Sequence, residues 1–409
     1  MTTPSELLIT ARWVLRGPRG LRLPHGGVLL RDSVVAAVGP AAEVAAMAGP
    51  AATRLVYPHG TVLPGFVDGH VHLSLDGGED PVDALLRSGP AALEAGVAER
   101  ARLLLSTGVT TVRDLGDRAD AAVRLRDEIS AGALPGPRIL AASAPLTPPG
   151  GHCWFLGGEV SGDQEILAKV RRNAAAGADV IKVMASGGYI TAGGAEMRES
   201  QFDERQLGLI VAEAGRFGLP VAAHAHGIAS IVAAANAGVR TVEHCLWLDE
   251  DDRVTRPEKH VRALAEQGIA ACCTVSGHDW RRKVETEGEA AARAFYGRIG
   301  WMHERGVPLI VGTDAGIHAA VFDDFVGTLE LYEWLGFSAE AIVELATAES
   351  ARLLGIGDRT GQLTPGYRAD LVVVDGDPLT DLSALRAVRL VVANGRSRAP
   401  AGLPPEAGR

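Results

Sequence analysis

Between residues 61 and 313 one pattern recurs: a short apolar run of strand character, then an Ala-rich stretch with helical periodicity. The runs cover 61–72, 109–114, 138–144, 180–185, 220–224, 239–244, 269–274 and 308–313, eight in all, with helical patterns such as 91–107, 164–176, 204–217, 228–237 and 261–267 between them. Eight strands alternating with helices predict an α/β fold of the (β/α)8 TIM-barrel kind. A doubly wound open sheet has the same periodicity and stays open as the competing topology.

Both chain ends read differently. Residues 6–57 carry short apolar runs broken by Gly and Pro, as hairpins do, and 368–375 and 388–396 form a matching pair near the other end. The two ends are expected to pair as one small β-sandwich domain built from 1–60 and 356–409, flanking a barrel over 61–355.

A barrel gathers its catalytic residues at the C-terminal ends of its strands. His70 and His72 end the first run, Lys182 lies within the fourth, His224 and His226 end the fifth, His244 ends the sixth and Asp314 follows the eighth. Residues i and i+2 of a strand share a face, so His70 and His72 can offer two imidazoles to one ion; hydrogen-bonded core histidines are the alternative. His224 and His244 would supply a second pair of imidazoles. Lys182 interrupts an apolar strand, where burial lowers an amine's pKa and leaves neutral amine free to add carbon dioxide. The resulting carbamate could bridge two metal ions; a lysine paired with a carboxylate is the other reading.

Such a site favours hydrolysis. Two divalent cations lower the pKa of a bridging water, the hydroxide attacks a polarised carbonyl, and Asp314 carries the proton to the leaving nitrogen.

Composition narrows the partners. A net charge of −10 disfavours nucleic acid and anionic membranes, so small molecules are the expected ligands. No apolar run is long enough to span a bilayer, and residues 1–6 lack the features of a signal peptide, which predicts a cytoplasmic protein. Cys153, Cys245, Cys272 and Cys273 form no C-x-x-C pair and are expected to be reduced, with Cys153 the exposed one.

Taken together, several segments resemble the amidohydrolase superfamily. They are Pro64-Gly-Phe-Val-Asp-Gly-His-Val-His72, Gly108-Val-Thr-Thr-Val-Arg-Asp114, Ile181-Lys-Val183, His224-Ala-His-Gly227, Val242-Glu-His244, Gly312-Thr-Asp314 and the tail 361–374. The match is most similar to the prolidase-like and imidazolonepropionase-like branch. The resemblance implies that His70, His72 and Asp314 hold one metal ion and His224 and His244 another. Carboxylated Lys182 would bridge them, most often with zinc bound. It further implies a binuclear hydrolase cleaving the amide bond of an Xaa-Pro-type dipeptide or an N-acyl amino acid.

Pro148-Pro-Gly-Gly-His152 resembles a loop whose histidine polarises the scissile carbonyl, which gives His152 that role; a structural loop histidine is the alternative. His226, Tyr189 and His318 are expected to contact substrate, and Asp68 to orient a ligand. Two other readings stay open. One is a mononuclear enzyme that opens a cyclic amide or deaminates a heterocycle, and the other is an inactive relative that only holds a ligand. Homo-oligomers are common among relatives, although nothing in the sequence specifies one.

Overall fold

The computed structural model describes residues 6–17 and 21–398. Four strands come first: β1 (Glu6–Leu15), β2 (Arg22–Arg31), β3 (Val34–Pro40) and β4 (Thr53–Pro64). Eight shorter ones follow: β5 (Phe66–Val71), β6 (Val109–Asp114), β7 (Arg138–Ala141), β8 (Ile181–Met184), β9 (Val221–Gly227), β10 (Thr241–Leu248), β11 (Ala270–Thr274) and β12 (Leu309–Gly312). The chain then adds β13 (Leu371–Asp375), β14 (Val388–Ala393) and β15 (Arg396–Arg398).

The ends of the chain do pair, in a seven-stranded sheet of order β15-β14-β13-β4-β1-β2-β3. Only β1 and β4 run parallel in it. Among the described residues these strands make one sheet, where two layers were expected. The run Leu371-Val372-Val373-Val374 explains how it docks. Leu371 and Val373 pack into the sheet's own core, whereas Val372 and Val374 join the core of the eight-strand region. A strand covered on both faces reads as an unbroken apolar run rather than an alternating one.

One expected strand is two. The run 61–72 breaks at Gly65: its first part finishes β4 in the seven-stranded sheet, and its second is β5. A Cβ on residue 65 would collide with the Thr110 side chain, so the crossing point demands glycine.

β5 to β12 are mutually parallel, in groups of order β5-β6-β7 and β12-β11-β10-β9-β8. The groups meet at both edges. On one side Asp314 N donates to His70 O at 2.9 Å and His72 N to Ala315 O at 2.8 Å. On the other, Leu146 N donates to Lys182 O at 2.8 Å and Met184 N to Leu146 O at 2.9 Å. Every residue of β5, β6, β8 and β12 is buried, so polar side chains there must find partners or a ligand. No helix among the described residues is long and apolar enough to cross a membrane.

Candidate metal centre and active site

β5 carries His70, and His72 stands one residue beyond its end. Their Nε2 atoms are 3.3 Å apart, and each lies 3.4 Å from Asp314 Oδ1. Asp314 follows β12 in left-handed backbone, φ 60°, an arrangement a non-glycine residue adopts at some cost. The neighbouring contacts hold it there. Thr313 N and Oγ1 donate to Asp68 at 3.1 and 2.6 Å, and His70 N donates to the same carboxylate at 3.2 Å. Asp68 therefore acts through backbone, tying β5 to β12 and holding His70 by its N–H.

A second cluster comes from β9 and β10. The ring centroids of His224 and His244 are 4.4 Å apart, and that of His226 lies 4.5 and 4.7 Å from them. His244 and Cys245 both have positive φ, 66° and 50°, which breaks the alternation of β10. In consequence Glu243 and His244, though adjacent in sequence, both reach the interior.

Glu243 has a part that the sequence did not reveal. Its Oε2 accepts from His70 Nδ1 at 2.8 Å, and Arg113 Nη2 donates to both its oxygens at 3.0 Å. Arg113 is itself anchored by Nε to Gly69 O at 2.7 Å. Burial opposes charge on Glu243, but the Arg113 guanidinium, His70 and the charge of Lys182 together outweigh it and hold the carboxyl well below its ordinary range. An ionised carboxylate on Nδ1 leaves Nε2 of His70 free to point at Asp314 and His72. The readable signal was an acid in a buried strand next to a candidate ligand.

Lys182 is fully buried, and its Nζ has no hydrogen-bond partner. Burial pushes its pKa down. Its charge acts on His70 and Asp314 in one cluster and on His224, His226 and His244 in the other. Burial likewise lowers His70 to about 4 and His226 to about 3, and keeps His224 and His244 well down. Neutral imidazole is the form that binds metal. Burial would raise Asp314, yet His70 and His72 hold it at about 2.

These residues fit divalent metal ions. In each of the sets His70, His72, Asp314 and His224, His226, His244 the ligand atoms lie within 4.8 Å of one another. Asp314 Oδ1 and Lys182 Nζ are buried without hydrogen-bond partners, as donor atoms awaiting a cation would be, and His226 Nδ1 is likewise unpartnered and open to an ion or to substrate. His70, Glu243 and Cys272 form a third such set, which the Arg113–Glu243–His70 chain already accounts for.

His152 faces the same space. Its Nδ1 is 3.0 Å from Thr191 Oγ1, its ring centroid is 4.5 Å from that of His224, and burial lowers its pKa to about 3. Its neighbour Cys153 is 2% exposed, contrary to expectation, because the short helix Trp154–Leu156 folds the loop inward. A small inner cavity is lined by Lys182, His152, His72, the His224–His226–His244 cluster and Asp314. It shares Tyr189, His226, His244, Asp314 and Ile317 with a larger outer chamber. Tyr189 is 60% exposed at their junction, and His318 lies on the outer wall with Nδ1 3.1 Å from Glu79 O. Arg281 is engaged by Asp324 and Glu330, and its neighbour Arg282 lines the outer chamber.

Comparison with known proteins gives the following. The model of the amidohydrolase family matches residues 61–398. An ochratoxinase of Aspergillus niger is 28% identical, with 91% of this chain and 82% of that protein aligned. An imidazolonepropionase of Mesorhizobium japonicum is 23% identical over 86% of each. Among solved structures, a Xaa-Pro dipeptidase with methionine bound in its active site is 26% identical. It superposes with a TM-score of 0.84, covering 97% of this chain and 100% of the other.

Proposed function

The chain belongs to the amidohydrolase family and is a hydrolase acting on carbon–nitrogen bonds, and from that premise we propose a binuclear metal enzyme that cleaves the amide of an N-acyl amino acid or an Xaa-Pro-type dipeptide. The carrying observation is Lys182: a buried amine without a partner, acting electrostatically on both ligand clusters. His70, His72 and Asp314 would hold one ion, His224 and His244 the other, and Lys182, as its carbamate, would join them. We assign zinc to both positions. The eight parallel strands over 61–355 are read as a closed (β/α)8 barrel, and 1–60 with 356–409 as its smaller β-sheet companion.

When bound, the ions supply Lewis acidity, which polarises the scissile carbonyl and acidifies a water. The protein's own groups do the rest. Asp314, held ionised at the junction of both clusters, accepts the proton from the attacking water and delivers it to the departing nitrogen. His152 stands opposite His224 and donates toward the carbonyl oxygen as charge builds there. Tyr189, His226 and His318 lie along the path from inner cavity to outer chamber and contact the amine half.

Protein loaded with zinc and bicarbonate should hydrolyse members of a panel of N-acyl amino acids and Xaa-Pro dipeptides, and lose that activity to a chelator. Full metal loading with no turnover anywhere in the panel would reject the reading. The resemblance to an imidazolonepropionase favours a second one, a mononuclear site that opens cyclic amides. Lys182 weighs against it, since a single-ion site needs no bridging carbamate.

A further inference from the structure

Three cations line the outer chamber, and two have acidic partners. Lys283 Nζ is 2.7 Å from Glu287 Oε2, and Arg282 Nη2 is 3.8 Å from Asp279 Oδ1. Arg298 differs. It opens the helix Arg298–Glu304, is 1% exposed, and has no carboxylate within ion-pairing distance among the described residues. Its Nη1 donates to Phe295 O at 2.9 Å, and its Nε has no partner at all. The guanidinium carbon lies 4.7 Å from the Phe295 ring centroid and 6.0 Å from that of Tyr296, which gives it support but no countercharge. A guanidinium stays charged at any ordinary pH, and a buried unpaired charge is costly. Such a group is stabilised when a ligand brings the missing anion.

The position says which anion. The chamber that Arg298 lines opens on His226, His244 and Asp314, so a substrate with its amide at the metal ligands extends its leaving half toward this arginine. The chamber walls add Leu246, Val275, Phe295 and Tyr296 to the ion-paired Asp279–Arg282 and Glu287–Lys283. We infer that Arg298 binds the carboxylate of the substrate's amino-acid half, which makes it the residue selecting an apolar N-acyl amino acid over a simple amide. This rests on the proposed amide hydrolysis. Two planar N–H donors facing two carboxylate oxygens give both affinity and orientation.

The test uses the full, metal-loaded chain and two compounds that differ only in the carboxylate, N-acetyl-L-leucine and N-acetylisopentylamine. The ratio of their kcat/KM values should favour the acid in the wild type and fall at least about tenfold in Arg298→Met, mostly through KM. Arg298→Lys should recover part of it. If Arg298→Met does not fold, Arg298→Gln, which keeps a donor for Phe295 O, is read in the same way. An unchanged ratio overturns the inference while leaving the proposed function standing. Wild-type protein that cleaves neither N-acyl amino acids nor Xaa-Pro dipeptides rejects the proposed function instead. Calorimetric titration with L-leucine then decides on Arg298: at least about tenfold weaker binding in the variant supports it, and equal or undetectable binding in both proteins overturns it.

Discussion

Glu243 shows how much a single buried acid can carry. It receives His70 on one side and Arg113 on the other, so its loss would free the ring of a ligand and leave a guanidinium unpaired. Glu243→Gln is expected to weaken zinc binding by about 10–100-fold, read by competition with a chromophoric chelator; unchanged affinity would remove its orienting role. Asp117 offers a separate test in pH. Burial, helped by the charge of Asp114, raises it from 3.8 to about 7, while one oxygen accepts from Ala122 N at 2.7 Å. The native state then holds a proton that the unfolded chain has released, so the Asp117 contribution is fully present below about pH 4 and is lost as pH climbs through 7. Asp117→Asn keeps the acceptor and removes the titration. Its unfolding free energy relative to wild type should be higher at pH 8 than at pH 5, and an equal offset at both would contradict the assignment. Ligand-type residues such as His70, His72 and Asp314 were legible because strand ends announce them. Glu243 and Arg298 were not: one depends on a left-handed turn at His244, the other on a helix that returns its first residue to the chamber.

At the scale of elements, the β5–β12 edge decides the geometry of the centre. Gly69 sits between His70 and Asp68, and a Cβ there would collide with Ile310 and approach Val311 O to 2.9 Å. Gly69→Ala should push β5 off β12, destabilising the apo protein by about 1–3 kcal/mol in denaturant unfolding and loosening zinc as His70 moves. Stability and affinity equal to wild type would mean that the two strands do not set the ligand positions. Periodicity located β6 and the helix Ile228–Ala237 at their observed limits, because their apolar pattern and end signals coincide. It could not separate β4 from β5. Both are apolar and contiguous, and what divides them is a change of partner sheet at Gly65, which has no local signature beyond the glycine itself.

Across the whole molecule, the seven-stranded sheet and the parallel strands share residues of one continuous path. β13 pairs with β4 along its length, β4 passes through Gly65 into β5, and β5 carries His70. The pairing of the two chain ends was readable from their matching strand character, whereas the single-sheet arrangement was not, since sequence patterns do not show which layer a strand joins. The outer chamber was equally hidden, because its walls join the helices of 277–304 to strand ends and loops far apart in the chain. The central claim concerns the number of ions held by the two clusters and the lysine that acts on both. It is tested most directly by elemental analysis of zinc per chain, on wild type and Lys182→Ala purified after growth with zinc and bicarbonate. Two equivalents in the wild type, falling together with amidase activity in the variant, are expected; one equivalent in the wild type, or full metal and turnover in the variant, would contradict the binuclear carbamate-bridged centre.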